Sequence, residues 1–193
     1  MAADSPPLLC IGLMSGTSLD AVDGCLLAMT DSARMQGTDA ATPMRQLAFA
    51  SRSMPPALRA ELLALNTPGD NELHRAALAA NALMDLYAEV TEALCTQAAV
   101  QPIQIAVIGA HGQTVRHRPQ MFDGTGYTLQ LVNGALLAER TGIAVACDFR
   151  SRDVAAGGQG APLVPAFHHG VFRKPNQTVL VLNIGGISNI SVL

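Results

Sequence analysis

Basic residues are scarce in this 193-residue sequence, and Lys174 is the only lysine among the twelve of them. Fifteen acidic residues give a formal net charge of −3, so the chain offers no basic face to a nucleic-acid backbone and we expect no nucleic-acid partner. No basic residue precedes Arg34, which argues against a signal peptide. No apolar run approaches the roughly 18 residues of a membrane span. Together these features predict a soluble cytoplasmic protein that makes no membrane contact.

Cysteines are few and scattered. The four of them form no C-x-x-C pair, and no histidine lies near them at the spacing of zinc ligands, so we expect reduced, mostly buried thiols. Aromatic residues make up only 4% of the chain, yet hydrophobic residues reach 49% against 14% charged ones. This balance excludes intrinsic disorder and predicts a core of alanine, leucine and valine. The length fits one large domain or two small ones.

Short apolar runs separated by polar turns predict an α/β architecture. Residues 8–14 and 22–28 form a predicted hairpin, residues 31–43 a surface connection, and residues 46–54 a third strand. Two helices follow, at 56–66 and from residue 71 onward, and the second has an apolar stripe that runs from Ala76 to Leu94 at helical spacing. The rest is predicted to contain strands at 103–108, 127–131, 143–146, 179–184 and 188–193, and a helix near 134–140. Strands alternating with helices indicate a layered α/β fold.

The first candidate site is the tip of the hairpin, residues 12–20. Its glycines allow a backbone to approach a ligand, its hydroxyls and N–H groups can bind phosphate oxygens, and Asp20 or Asp23 can hold Mg²⁺ through water. An ordinary tight turn explains the same residues. The sequence has neither a P-loop nor a dinucleotide-binding glycine motif.

Polar side chains also follow the predicted strand at 103–108. His111, Gln113 and Thr114 lie at its exit, and Gln130 and Asn133 end the next strand, where they can reach the same crevice and bind hydroxyls. The alternative is that these side chains only satisfy backbone groups of their loops.

Two aspartates flanked by arginines precede a glycine stretch at residues 148–162. They can supply a general base and charge stabilisation, or they can form a surface ion-pair cluster beside a flexible turn. Residues 183–189 form a second glycine turn between predicted strands. Because His168 and His169 are adjacent on a predicted helix, they point in different directions and a shared metal site is not expected.

Four segments, taken in order, resemble one enzyme family. They are GLMSGTSLD at 12–20, GAHGQTVRH at 109–117, DFRSRDVAAGGQGAPLVP at 148–165 and LNIGGISN at 182–189. Each segment is generic alone, but in this order and spacing they closely resemble anhydro-N-acetylmuramic acid kinase. The likeness runs from residue 11 to residue 193.

The resemblance implies an α/β, actin-like (ribonuclease H-like) ATPase domain with a mixed sheet flanked by helices. It implies a bacterial cytoplasmic enzyme of cell-wall sugar recycling. With ATP, Mg²⁺ and water, such an enzyme opens the 1,6-anhydro ring of anhydro-N-acetylmuramic acid and gives N-acetylmuramic acid 6-phosphate and ADP. The implied partners are therefore ATP and a small amino sugar, and a homodimer is left open.

Matching positions in the four segments imply two phosphate loops and a base. The first loop would comprise Gly16, Thr17, Ser18, Leu19, Asp20, Ala21, Val22 and Asp23, with Asp20 holding Mg²⁺ through water. The second would comprise Asn183, Gly185, Gly186, Ser188 and Asn189. Asp153 would be the catalytic base. The residues expected to bind the sugar are His111, Gln113, Thr114, Gln130, Asn133 and Arg150. Because a guanidinium suits bidentate contacts, Arg150 or Arg152 is expected to orient either Asp153 or the lactyl carboxylate of the sugar.

The chain departs from the family in two respects. Ala21 replaces the usual glycine after the loop aspartate, and family members are about twice as long. We therefore expect an N-terminal actin-like domain at residues 1–177 and the truncated start of a second domain at 178–193, with poor solubility from its unpaired final strand. The alternative function is a catalytically incomplete module that only binds sugar or nucleotide phosphate. A third hypothesis keeps the fold and changes the substrate, but the segments at 111–114 and 148–165 argue against it.

Overall fold

The computed structural model describes residues 6–29, 44–184 and 188–193 of the chain. A five-stranded mixed sheet, in the order β3-β2-β1-β4-β7, forms its centre. The strands of this sheet are β1 (Leu8–Ser15), β2 (Ala21–Met29), β3 (Met44–Ser53), β4 (Ile105–Ala110) and β7 (Val145–Cys147). β1, β2 and β3 pair antiparallel, whereas β1, β4 and β7 run parallel. The expected α/β class, with a mixed sheet flanked by helices, is confirmed.

Five α-helices accompany the strands in the part of the chain that the structure describes. They are α1 (Pro56–Ala64), α2 (Glu72–Ala98), α3 (Gly134–Thr141), α4 (Ser151–Ala155) and α5 (Val164–Phe172). The predicted stripe of α2 is confirmed, because Leu83, Tyr87, Val90 and Leu94 are fully buried between the helix and the sheet. Parallel β1 and β4 are joined through the long α2, as a crossover between parallel strands requires.

Gly24 of β2 allows α2 to lie close to the sheet. A Cβ at this position would lie 2.5 Å from Val90 Cγ1 and 2.7 Å from Leu13 Cδ2, closer than packed carbon atoms tolerate. The missing side chain therefore sets the distance between the longest helix and the centre of the sheet.

A two-stranded ribbon of β5 (Gln113–Pro119) and β6 (Gly126–Leu131) lies beside the main sheet. The sequence predicts β6 but not β5, whose polar residues suggest a loop. Those residues are satisfied by distant partners. Arg116 donates to the Leu65 carbonyl (Nε to O, 3.3 Å) and binds Glu72 at 2.9 Å, which holds the ribbon against the turn between α1 and α2.

β8 (Leu180–Asn183) and β9 (Asn189–Val192) form a second ribbon, and among the described residues neither strand pairs with the five-stranded sheet. It confirms the predicted strands at 179–184 and 188–193 to within a residue or two. The division into domains 1–177 and 178–193 stays a prediction. The predicted connection at 31–43 lies outside the described residues.

The cysteines and the lengths of the helices bear on two further predictions. The four cysteines, all within the described residues, form no disulfide, but only Cys95 is buried and the other three are half-buried. Among the described residues, the structure contains no helix long and apolar enough to cross a membrane.

Candidate active site

Three of the four polar segments meet at one edge of the main sheet. Parallel β1, β4 and β7 end at Ser15, Ala110 and Cys147, so the segments that begin at Gly16, His111 and Asp148 all leave from the carboxyl edge. Open α/β sheets bind their ligands at this edge. The fold therefore places the first loop, His111 and the Asp153 segment on the same side of the molecule.

The first loop is anchored to α2 below it. Ser15 is only 2% exposed, and its hydroxyl donates to the Gly112 carbonyl at 3.3 Å. The Tyr87 hydroxyl lies 3.3 Å from Ser15 Oγ and is placed to donate to it. Burial raises the pKa of Tyr87 to about 12, so this phenol stays protonated at neutral pH. Tyr87 thus has a polar role that its position in an apolar stripe does not reveal.

The loop itself turns tightly above this anchor. The Leu19 N–H donates to the Gly16 carbonyl at 3.1 Å, and Leu19 has a φ of 55° with its side chain in the core. Val22 is also fully buried. These two predicted cofactor-binding residues can therefore offer a ligand only their backbone, whereas the side chains of Thr17 and Ser18 are exposed.

The two loop aspartates lie at the surface and have protein partners. Asp20 Oδ1 is 3.8 Å from Arg59 Nη2, and Asp23 Oδ1 accepts a hydrogen bond from the Ser51 hydroxyl at 2.7 Å. The part of the chain that the structure describes holds no cluster of three or more metal-ligating side chains. Magnesium at Asp20 through water stays a prediction.

His111 and Arg150 form a direct pair that joins β4 to the segment after β7. Arg150 Nε and Nη2 lie 3.0 Å and 2.8 Å from His111 Nε2. Because a guanidinium has only donors, His111 Nε2 must accept, and its Nδ1 then donates to the Gly112 carbonyl at 2.8 Å. Burial, with the Arg150 charge, lowers the pKa of His111, which agrees with this neutral tautomer.

Asp153 lies on α4, and one of its two carboxylate oxygens is fixed. Its Oδ2 accepts the Gly160 N–H at 2.7 Å, while Arg150 Nη1 donates to the Gly160 carbonyl at 2.6 Å. Oδ1 has no hydrogen-bond partner within the described ranges, and the residue is exposed. One carboxylate oxygen of Asp153 is therefore held by the protein, and the other has no protein donor among the described residues.

The β5–β6 ribbon presents a polar face. Gln130 Nε2 donates to the hydroxyls of Thr114 (3.2 Å) and Thr128 (2.8 Å), and His117 Nδ1 lies 3.0 Å from Thr128 Oγ1. The Oε1 atoms of Gln113 and Gln130 are buried and have no partner among the described residues. Buried acceptors of this kind cost free energy unless something donates to them. Gln130, on the same face as Thr114, is therefore a candidate ligand contact, whereas Gln113 is on the opposite face and only 2% exposed.

Asn133 holds protein structure with both ends of its side chain. Its Oδ1 accepts the Leu136 N–H at 3.1 Å, which caps α3, and its Nδ2 donates to Asn81 Oδ1 at 2.8 Å. A contact between Asn133 and sugar stays a prediction. In the second predicted loop, Asn183 and Asn189 are exposed cross-strand neighbours and Ser188 is exposed. Gly185 and Gly186 lie outside the described residues.

The sequence matches one family along nearly all of its length. Residues 8–193 match the family model described as anhydro-N-acetylmuramic acid kinase. The chain is 60% identical over 185 residues to the anhydro-N-acetylmuramic acid kinase of Variovorax paradoxus (strain S110). These residues make up 96% of this chain and 47% of that protein. It is also 60% identical to the enzyme of that name from Albidiferax ferrireducens, over 96% of this chain and 45% of the relative.

A third relative, from Ralstonia nicotianae, is 54% identical over 95% of this chain and 45% of its own length. The chain thus spans about half the length of the curated relatives it matches. Those relatives carry the same name as the matching family model, and the match includes every segment of the candidate site. The chain belongs to the anhydro-N-acetylmuramic acid kinase family.

Proposed function

We propose that this chain supplies the base and the first phosphate loop of an ATP-dependent kinase acting on 1,6-anhydro-N-acetylmuramic acid. The enzyme would open the anhydro ring with water and phosphorylate O6, giving N-acetylmuramic acid 6-phosphate and ADP. The observation that carries the proposal is the Asp153 carboxylate, held by one oxygen and open at the other, on the edge of the sheet where the first loop also lies. An enzyme that uses ATP on a recycled sugar belongs in the cytoplasm, where we place it.

The reaction requires one carboxylate to accept a proton from water. Water attacks the anomeric carbon, the bond from that carbon to the bridging O6 breaks, and O6 takes the γ-phosphoryl group as the bond to ADP breaks. One proton of the water goes to Asp153, and the other stays on the new anomeric hydroxyl. The open Oδ1 is suited to this step, since a base must come within hydrogen-bond reach of the proton it removes.

ATP with Mg²⁺ would supply the phosphoryl group and neutralise its charge. The donors available to it in this chain are the exposed hydroxyls of Thr17 and Ser18 and the backbone N–H groups of the first loop. Asp20 is exposed and can reach a metal through water once it releases Arg59, 3.8 Å away. The donor set therefore fits phosphate oxygens and a hydrated magnesium ion.

The amino sugar would lie against the polar face of the β5–β6 ribbon. Hydroxyl and amide donors of the sugar could satisfy the buried Oε1 atom of Gln130. Gln113 is on the opposite, buried face of the ribbon, so a sugar contact there stays a prediction. Thr114, whose hydroxyl already contacts Gln130, borders the same face. Substrate binding would thus complete a hydrogen-bond network that the protein alone leaves unfinished.

A second candidate function is a binding module that performs no catalysis by itself. It is favoured by the apolar side chains that the β8–β9 ribbon exposes and by the half-length match to the relatives. Kinases need a closed cleft that excludes water from the transferring phosphoryl group. On this alternative, the chain binds sugar or phosphate and needs a complementary polypeptide for turnover.

Incubation with ATP and the anhydro sugar tests both functions, with mass spectrometry of the sugar as the readout. We would compare the 193-residue chain with a fusion that appends the C-terminal half of the Variovorax paradoxus relative. Sugar 6-phosphate from either protein supports the kinase, and product from the fusion alone supports the incomplete module. Sugar left unphosphorylated by a folded fusion would contradict the proposed function.

A further inference from the structure

We propose that Arg150 is a positioning residue that fixes the Asp153 carboxylate through the backbone of Gly160, and that its guanidinium does not bind the sugar. The inference rests on the proposed role of Asp153 as the base. The connection runs from His111 through Arg150 to Gly160, and from Gly160 to Asp153. Every link in it is a hydrogen bond of the described chain.

All three nitrogens of the Arg150 guanidinium donate to protein acceptors. Nε and Nη2 converge on His111 Nε2, and Nη1 lies 2.6 Å from the Gly160 carbonyl. Three of the five N–H groups are thus committed to the protein, and the plane of the guanidinium is fixed by these contacts. The sequence suggests two roles for Arg150, binding the sugar and orienting Asp153. The geometry favours the second.

The Gly160 residue transmits the constraint. Its carbonyl accepts from Arg150 on one side, and its N–H donates to Asp153 Oδ2 at 2.7 Å on the other. A hydrogen bond from a charged donor to the carbonyl fixes the carbonyl's position and polarises it. The carbonyl and the N–H belong to neighbouring peptide groups joined at the Gly160 Cα, so holding the carbonyl restricts where the N–H points toward the carboxylate.

The backbone around Asp153 permits only a narrow arrangement. The Gly158 N–H donates to the Asp153 carbonyl at 2.8 Å, and a Cβ on Gly158 would overlap the Asp153 carboxylate. Gly160 itself has a φ of 65°, a conformation that favours glycine. The turn at 157–160 thus packs closely against the Asp153 carboxylate.

His111 completes the arrangement by orienting the guanidinium. It offers a single acceptor, Nε2, because its Nδ1–H is committed to the Gly112 carbonyl. The Gly112 carbonyl also accepts the Ser15 hydroxyl, so the same network reaches the end of β1. Arg150 therefore couples the base to the two central strands of the sheet.

The amide signal of Gly160 tests this inference without any assay of turnover. In the 193-residue chain labelled with ¹⁵N-glycine, NMR gives the chemical shift and the hydrogen-exchange rate of this amide. We expect Asp153→Asn and Arg150→Gln each to move the Gly160 proton upfield and to speed its exchange about tenfold or more. Arg45→Gln, which removes an exposed arginine of β3, is the matched control and should leave both unchanged.

A conservative variant and chemical rescue separate positioning from general loss of structure. Lysine can donate to the Gly160 carbonyl but cannot also bridge to His111, so Arg150→Lys should speed Gly160 exchange several-fold while the other glycine signals keep their positions. In Arg150→Ala, millimolar ethylguanidine should restore the Gly160 shift. If the Gly160 amide of Arg150→Lys keeps its wild-type chemical shift and exchange rate, the inference is overturned. This test applies even if Arg150→Gln does not fold.

Kinetics of the fusion protein give a second, independent test. A positioning role predicts that Arg150→Lys lowers kcat at least tenfold and leaves KM for the sugar within about twofold. A raised KM with unchanged kcat would identify Arg150 as a sugar ligand and overturn the inference. An inactive wild-type fusion would defeat the proposed function alone, because the Gly160 signals would still report whether Arg150 holds Asp153.

Discussion

At the scale of single residues, the site depends on side chains whose protonation and space are set by their neighbours. His111 must be neutral to accept from Arg150, since a protonated imidazole has no acceptor. Asp153 must have a glycine at position 158, since no other residue leaves room for its carboxylate. Both requirements lead to experiments on individual positions.

The first prediction concerns the acid stability of the fold. Burial lowers the pKa of His111 in the folded chain, so below the ordinary histidine value of about 6.5 the unfolded chain takes up a proton that the folded chain refuses. Stability is therefore lost as the pH falls through that region, with a slope from this group of at most about 1.4 kcal/mol per pH unit. When the free energy of unfolding is measured by urea at several pH values between 5 and 8, it should change less steeply with pH for His111→Gln than for the wild type.

His74→Gln, at an exposed position of α2, controls for the removal of a histidine. Equal slopes for wild type and His111→Gln would show that the folded chain protonates His111 freely. That outcome would also remove the case for its neutral tautomer.

The second prediction concerns Gly158. In Gly158→Ala the new methyl group displaces the Asp153 carboxylate, so we expect kcat of the fusion to fall about 10²-fold or more, as for misplacement of a catalytic group by about 1 Å. Gly170→Ala is the control, because a Cβ there meets nothing within 4 Å. Wild-type turnover in Gly158→Ala, with the alanine confirmed by mass spectrometry, would contradict the close fit.

At the scale of elements, the packing of α2 on the sheet sets the geometry of the whole carboxyl edge. The helix supplies Tyr87 to the anchor of the first loop, and its approach depends on Gly24. A change in this packing would therefore alter both the core and the position of the first loop.

Gly24→Ala tests that packing. The added methyl would lie 2.5 Å from Val90 Cγ1, so we expect a loss of about 1–3 kcal/mol in the free energy of unfolding, as for other overpacked cores. For a chain of this size each kcal/mol lowers Tm by roughly 2–4 °C. Gly12→Ala on the neighbouring strand is the control, since its Cβ would meet only Cys25 Sγ at 3.7 Å. Equal Tm values for the two variants would refute the close approach of α2.

Most elements could be predicted from the sequence because their apolar periodicity is local. The stripe of α2 and the hairpin of β1 and β2 are examples, and both are confirmed. β5 could not be predicted, because its polar residues are satisfied by Glu72 and by β6, far away in sequence. The five-residue α4 is too short for a period to show.

The candidate site, too, could be predicted from the sequence only in part. The polar segments at strand ends point to the carboxyl edge, since the order of strands and loops is written in the sequence. The bond between Arg150 and His111 joins positions 39 apart, and no spacing rule reveals it. The same holds for Ser15 and Tyr87, which are 72 apart.

At the scale of the whole molecule, the β8–β9 ribbon exposes an apolar face. Leu180 pairs with Val192 and Leu182 with Ile190 across the two strands, and all four side chains are exposed. Ser191, on the opposite face, hydrogen-bonds His168 of α5 at 3.0 Å. The ribbon is thus attached to the protein by one face and offers apolar side chains to solvent on the other.

This face predicts that the 193-residue chain self-associates. Exposed apolar patches and unpaired strand edges both favour association. The double substitution Leu182→Ser and Ile190→Ser should shift the chain toward monomer in analytical ultracentrifugation over a range of concentrations. Ile103→Ser, at a position that is 89% exposed elsewhere on the surface, is the control. A wild-type chain that stays monomeric at high concentration would contradict this expectation.

The central claim is that Asp153 removes the proton from the attacking water, and its most direct test is turnover of the Asp153→Asn fusion. We expect the rate of sugar 6-phosphate formation to fall about 10²–10⁴-fold, the range of general-base catalysis, while ATP still binds. Asp85→Asn, which breaks only the surface pair with Arg140, should keep its activity. Retained turnover in Asp153→Asn would contradict the account.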